Sequence, residues 1–217
     1  SIYTLKKGKM ASFISSLSPD SDALAIFVNE KYAYTDKKGV LSKSLVQKIN
    51  SFIAVLKVKK KSEEIISFDI SDKQKCFIVK VKSKHETYFP QECGGRFFSH
   101  LKKIKDLNKI DLYIDSLNLE KQKIVDFFSD FCLGFNLKSY TFNKYKTTNK
   151  DQINKKIIYK IITSHKAKLQ KEYKYYDAIK EGVFLSRDLV SEPPNVLNPK
   201  RYTEEIKKLS KLGLKIE

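Results

Sequence analysis

Hydrophobic positions along this chain switch repeatedly between two periods, and the switches mark its elements. The short apolar run Asp22-Ala-Leu-Ala-Ile-Phe-Val28, bounded by Asp20 and Asn29, predicts a strand buried on both faces. Leu45, Val46, Ile49, Phe52, Ile53 and Leu56 then recur at helical spacing behind Ser42, a residue suited to cap a helix, so residues 43 to 57 are expected to form an amphipathic helix. Ile66, Phe68 and Ile70 alternate, Asp72 and Lys73 supply a turn, and Phe77, Val79 and Val81 alternate again, as in a hairpin or two neighbouring strands. After Pro90 and the pair Gly94-Gly95, the residues Phe97, Phe98, Leu101 and Ile104 give a second helix, followed by a strand through Ile110, Leu112 and Ile114. Ile124, Phe127, Phe128, Phe131 and Phe135 form a helical stripe within 118 to 138, which reads as core and not as a cofactor box.

The polar stretch Asn143 to Asp151 is loop by composition, and Lys156 to Ile162 is a further strand. From Lys166 to Leu189 there is no proline, and Leu169, Tyr173, Tyr176, Ile179 and Val183 share one side, which predicts a long helix. Glu192-Pro193-Pro194 ends it, because a residue before proline is pushed out of helical geometry and proline has no N–H to give. Asn198-Pro199 reads as a cap followed by a proline in the first helical turn, opening a helix through Tyr202, Ile206 and Leu209. Gly213 closes that helix, and Leu214 to Glu217 is expected to start a strand. The alternation of strands and helices predicts an α/β layered architecture with a largely buried sheet.

Composition narrows the function classes. No apolar run approaches the roughly 18 residues of a membrane-spanning helix, and Ser1 to Lys7 lacks the regions of a signal peptide. Cys76, Cys93 and Cys132 are widely spaced and unpaired in sequence, which suggests neither a disulfide framework nor a zinc site and fits a reducing cytoplasm. The formal net charge of +18 invites a nucleic-acid partner, but only Arg96, Arg187 and Arg201 are arginine among the basic residues. Arginine is the side chain that reads guanine bidentately, so this lysine excess reads as compositional bias with a weak, nonspecific attraction for polyanions.

The usual catalytic constellations are missing from the sequence. His85, His100 and His165 stand alone, with no second histidine or glutamate at metal-binding spacing. Gly94-Gly95-Arg96 lacks the spacing of a phosphate-binding loop and reads as a flexible start to the helix that follows it. Asp69, Asp72, Glu63 and Glu64 lie at strand ends, where carboxylates are usually solvated, and Cys93 has no basic neighbour to lower its thiol pKa.

Two segments carry a family resemblance. Gly134-Phe-Asn-Leu-Lys-Ser-Tyr140-Thr-Phe142-Asn-Lys-Tyr145-Lys146-Thr147 is similar to a helix end and loop of the cytosolic leucyl aminopeptidases (peptidase family M17). Gly182-Val-Phe-Leu-Ser-Arg187-Asp188-Leu189-Val-Ser-Glu192-Pro193-Pro194-Asn195 resembles the element by which that family passes from its N-terminal domain into its peptidase domain. The positions matched are Tyr140, Phe142, Tyr145, Lys146, Thr147, Arg187, Asp188, Glu192, Pro193 and Asn195, and the resemblance covers about residues 130 to 217.

The resemblance implies a macro-domain-like mixed sheet flanked by helices over 1–165, a linker helix over 166–190, and the first helix and strand of a truncated second α/β domain over 191–217. It also implies a parent enzyme in which two divalent metals, manganese or zinc, activate water to release N-terminal amino acids from peptides. That parent is expected to be a cytoplasmic hexamer, with this region at its outer corners and its own catalytic domain as neighbour. Some bacterial members bind DNA, which gives an alternative role as a basic DNA-binding module; no membrane partner is implied. The family takes its metal ligands from a Gly-Lys-Gly-x-x-Phe-Asp-x-Gly-Gly stretch and from Asn-Thr-Asp-Ala-Glu-Gly-Arg. Neither occurs here, so no catalytic, metal or cofactor residue is carried over and the chain alone is expected to be inactive. A start at Ser1 and a final strand without a following partner lead to the further expectation that the chain is part of a longer protein.

Overall fold

The computed structural model describes residues 12–59, 62–147 and 155–216. Six strands form one mixed sheet in the order β1-β6-β5-β2-β4-β3: β1 (Ser12–Ile14), β2 (Ala23–Val28), β3 (Ile65–Ser71), β4 (Gln74–Lys80), β5 (Lys109–Tyr113) and β6 (Ile158–Ile162). Every neighbouring pair is parallel except β3 with β4, whose hairpin turns at Asp72 and Lys73 as their polarity predicts. Parallel strands need covering on both sides: α1 (Lys43–Val58) covers one face, α2 (Phe89–Lys102) and α3 (Lys121–Lys138) cover the other, α4 (Lys166–Ser191) packs on α3, and α5 (Pro199–Lys207) follows it.

β2 is buried along its whole length, and its alternation divides the core in two. Leu24, Ile26 and Val28 point to the face covered by Leu45, Ile49, Ile53 and Leu56 of α1. Ala23, Ala25 and Phe27 point to the face covered by α2 and α3, where Phe27 meets Phe128 and Phe131 edge-to-face with centroids 4.6 and 5.4 Å apart. The phenylalanine stripe is therefore core, and such edge contacts add about 0.5–1.5 kcal/mol each beyond the area they bury. Ser42 caps α1, its hydroxyl accepting from the Leu45 N–H at 3.2 Å, and Asn198 caps α5, accepting from the Arg201 N–H at 3.0 Å.

Two expectations need correction. The Gly94-Gly95 pair does not precede a helix but lies in the middle of α2. The reason is a helix crossing: a Cβ built on Gly94 would stand 1.9 Å from the Phe131 carbonyl oxygen, and one on Gly134 would stand 1.8 Å from the Gln91 carbonyl oxygen. The two glycines let α2 and α3 touch backbone to backbone, so close approach, not loop flexibility, selects them. The second correction concerns the C-terminal segment. Gly213 does end the last helical turn in the left-handed region (φ 87°), but residues 214–216 form no strand. Residue 217, and residues 148–151 of the expected loop, lie outside the described residues.

α4 begins against the domain through a buried polar knot. The Asn136 amide donates to the hydroxyls of Tyr159 (3.0 Å) and Tyr173 (3.1 Å), which lie 2.8 Å from each other. This satisfies two buried hydroxyls and a half-buried amide at once, tying α3, β6 and α4 together.

The glycine crossing makes a prediction in which the sign depends on position. Gly94→Ala should lower the melting temperature, by the equivalent of about 1–3 kcal/mol or more, because the added methyl must push two helix backbones apart. Gly182→Ala, in α4 with nothing within 4 Å of its would-be Cβ, should instead raise stability by about 0.5–1 kcal/mol through helix propensity. Thermal unfolding of the two variants followed by circular dichroism decides it; equal effects would contradict the crossing.

Candidate functional site

The two motif segments, 48 residues apart at their matched positions, meet in space. α3 ends at Lys138, leaving its last carbonyls without helical partners. Arg187, on the last turns of α4, donates from its guanidinium to one of them, the Leu137 carbonyl, at 2.7 Å. A cation at this end also opposes the negative pole of the helix. The same guanidinium lies over the Tyr140 ring at 5.4 Å, and the Tyr140 hydroxyl donates to the Asp188 carboxylate at 2.7 Å. Phe184 packs against Tyr140, the ring centroids 5.1 Å apart.

One turn further, Glu192 stops α4 in an extended conformation and turns its side chain inward, where it is fully shielded from solvent. Its carboxylate accepts from the Lys144 ammonium at 2.5 Å and from the Tyr145 hydroxyl. A carboxylate withdrawn from water is tolerated because it is paired and hydrogen-bonded. Phe142 leans on Tyr145 with centroids 5.9 Å apart. The Lys146 N–H turns back to the Asn143 carbonyl, and Lys146, Thr147 and Asn195 are exposed, while Pro193 is half-buried.

Six matched positions therefore join in one clasp, Tyr140, Phe142, Tyr145, Arg187, Asp188 and Glu192, and Pro193 follows directly on Glu192. Lys146, Thr147 and Asn195 stay outside its hydrogen bonds among the described residues. Lys144 and Phe184 belong to the clasp and were not singled out by sequence; nothing in a lysine beside a tyrosine, or in one phenylalanine of a helix, marks them. Burial, with the Asp188 carboxylate it donates to, pushes the Tyr140 phenol up to about 12, and Glu192 raises both the Lys144 ammonium and the Tyr145 phenol.

The other candidate groups lie elsewhere. His85 stacks on Phe89 at 5.1 Å, His100 packs edge-on to Phe77, and His165 sits just ahead of α4. Cys76, Cys93 and Cys132 are buried free thiols, each pushed up to about 12 by desolvation, which makes them poor nucleophiles. Glu64 pairs with Arg96 at 2.9 Å, and Asp69 pairs with Lys75 at 2.5 Å. Among the described residues no three His, Cys, Asp or Glu side chains cluster as a metal site, so no step through a metal is assigned to this chain.

Two outcomes follow from the clasp. Glu192→Ala should cost about 2 kcal/mol, the scale of hydrogen bonds to a charged acceptor, and should speed amide exchange in 140–147; unchanged exchange there would contradict it. Tyr140 has a folded pKa near 12 against an ordinary value of 10.0, so the stability it contributes is complete below about pH 10 and is lost as pH rises towards 12. Denaturant midpoints at pH 9, 10.5 and 11.5 should fall less steeply in Tyr140→Phe than in the parent.

Known proteins resemble this chain in sequence and in fold. No family model matches the chain. A probable cytosol aminopeptidase of Agrobacterium fabrum is 36% identical over 127 residues, covering 57% of this chain and 24% of that protein. One of Methylorubrum populi is 39% identical over 89 residues, covering 41% and 18%. Among solved structures, a tomato leucine aminopeptidase variant matches with TM-score 0.66 at 18% identity, over 94% of this chain and 43% of its own. The bottromycin maturation enzyme BotP matches with TM-score 0.57 at 13% identity, over 90% and 38%. The matched stretches thus span from about a fifth to a quarter of these curated relatives' length and less than half of the solved chains. Related in sequence over about half its length, and alike in fold over nearly all of it, the chain is a relative of the cytosol (leucyl) aminopeptidase family.

Proposed function

We propose that this chain is the non-catalytic N-terminal region of a leucyl aminopeptidase: an α/β domain over 1–165, a linker helix over 166–190 and the first part of the peptidase domain over 191–217. In this reading the parent is a cytoplasmic hexamer that releases N-terminal amino acids from peptides with two divalent metals, manganese or zinc, held by residues outside this sequence. The chain's own contribution is architectural: it holds the linker helix in place and shapes access to the active site. The observation that carries the reading is the clasp. The segment resembling the family's passage between domains is pinned to the N-terminal domain by Tyr140 on Asp188, Arg187 on the end of α3, and Lys144 and Tyr145 on the shielded carboxylate of Glu192.

The basic charge is a weaker guide. Arg96, Lys109, Lys144, Lys160 and Lys180 are each engaged with carboxylates of the same chain, and such pairs do not offer themselves to phosphates. Duplex DNA binding at two salt concentrations, measured beside an unrelated lysine-rich protein, separates the two roles.

The principal test is enzymatic. The purified chain, supplied with Mn²⁺ or Zn²⁺ and a leucyl chromogenic substrate, should give no turnover above the metal-only blank. Turnover at a rate typical of enzymes, on the order of 1 s⁻¹ or faster, would overturn the proposal.

A further inference from the structure

β3 is the last strand on its side of the sheet, and its ladder with β4 fixes which of its backbone groups look outward. The Lys80 N–H donates to the Glu64 carbonyl at 2.7 Å, in the register of the hairpin, so Glu64, Ile66 and Phe68 turn their N–H and C=O groups towards β4. Lys75, opposite Asp69, instead donates its N–H to the Asp22 carbonyl on the β2 side at 3.0 Å, which fits the same alternation. Ile65, Ser67 and Asp69 therefore point theirs away from β4, where no strand pairs with them among the described residues. The Ile70 carbonyl beyond them is already taken by the Lys48 ammonium at 2.8 Å, which closes the open stretch. Unpaired edges are templates for a further strand, and the usual protections are missing here. β3 holds no proline and no lysine, its one charge, Asp69, is paired with Lys75, and the register shift falls past Asp69.

An apolar strip runs along the same edge. Ile66, Phe68 and Ile70 face α1 and are only half-buried there. The Phe68 ring lies 4.7 Å from that of Phe52, and Lys48 reaches Ile70, so α1 runs back over β3 in the opposite direction. Val55 stands three residues after Phe52 and seven after Lys48, on the same side of α1, and is 46% exposed. Phe52, Val55, Ile66 and Phe68 thus form a strip that stops where the sheet stops.

We propose that a second copy of this chain pairs antiparallel with the β3 edge, about a two-fold axis at Ser67. The symmetry of the open stretch selects both the partner and the register. A two-fold axis perpendicular to the sheet keeps α1 on one side in both copies, so opposed residues share a face. With Ser67 opposite Ser67, Ile65 meets Asp69, and every outward-pointing residue of one copy exchanges its N–H and C=O bonds with one of the other. Ile66 then stands opposite Phe68 on the α1 side, and Phe52 and Val55 of both copies flank the joined strips. Moving the axis to Phe68 would leave Ile65 opposite Ser71, past the open stretch, and moving it to Asp69 would set two carboxylates face to face. Charge agrees with the antiparallel sense. Lys59 ends α1 beside the start of β3 and Asp72 follows its end, so the pairing brings the Asp72 turn of each copy to the Lys59 end of the other. The pairing uses residues 48–72 alone and is independent of the peptidase reading.

Sedimentation equilibrium of the purified chain, at protein concentrations from about 1 to 100 μM, should show monomer passing into dimer. Ser67→Pro removes an outward N–H and no bond to β4, and Ser67→Lys sets two ammonium groups against each other at the axis; each should weaken the dimer roughly tenfold or more. Ser67→Cys reads the geometry without disturbing the edge. The Cα atoms of a hydrogen-bonded antiparallel pair are about 5.5 Å apart, within disulfide reach, so mild oxidation should link two copies through position 67. Asp72→Cys, on the order of 30 Å from its mate across the axis, should not cross-link. A chain that stays monomeric throughout overturns the proposal and leaves the edge to a strand from a different protein. A dimer that neither Ser67→Pro nor Ser67→Lys weakens, or that cross-links at position 72 and not at 67, overturns it as well.

Discussion

The closest constraint in this molecule is the backbone contact between α2 and α3. At Gly94 and Gly134 neither helix has room for a methyl group, since the opposite carbonyl already occupies that place. This approach sets how deeply the phenylalanines of both helices sit over β2, and hence how Phe97, Phe128, Phe131 and Phe135 interlock. It also fixes the far end of α3, because a helix held near its C-terminal turn cannot slide or roll there. The Leu137 carbonyl and the Tyr140 ring hang from that end, so the grip of Arg187 and Asp188 depends on the same two glycines.

Much of the architecture is legible in the sequence where local signals are strong. The unbroken run of β2, the alternation of β3 and β4, the caps at Ser42 and Asn198 and the proline stop after Glu192 each have a local physical cause, and each element forms where that cause places it. The positions where local pattern and structure differ depend on partners distant in sequence. Gly94-Gly95 looks like a flexible helix start until α3 is laid across it. β1 is three residues long, too short for an alternating pattern to register, and is held by pairing with β6 from the other end of the chain. The segment 214–216 has the apolar spacing of a strand but pairs with none of the described strands.

The candidate site divides in the same way. The residues of the clasp were visible as two separate motifs, but not their pairing, because hydrogen bonds between residues 48 positions apart leave no trace in a local pattern. Lys144 carries no local signal for the same reason, although its ammonium donates to the Glu192 carboxylate.

The long helix α4 is mounted at two points. Near its start, Tyr173 is held in the hydroxyl knot with Asn136 and Tyr159; near its end, Asp188 and Glu192 are held in the clasp. The two points lie 15 residues apart, about 22 Å along a helix rising 1.5 Å per residue. A rod with one bearing can pivot, but a rod with two keeps its tilt and its rotation about its own axis. α4 therefore behaves as a strut, and a change at either mounting is delivered to the other as a rigid displacement, with no bending of the helix between them.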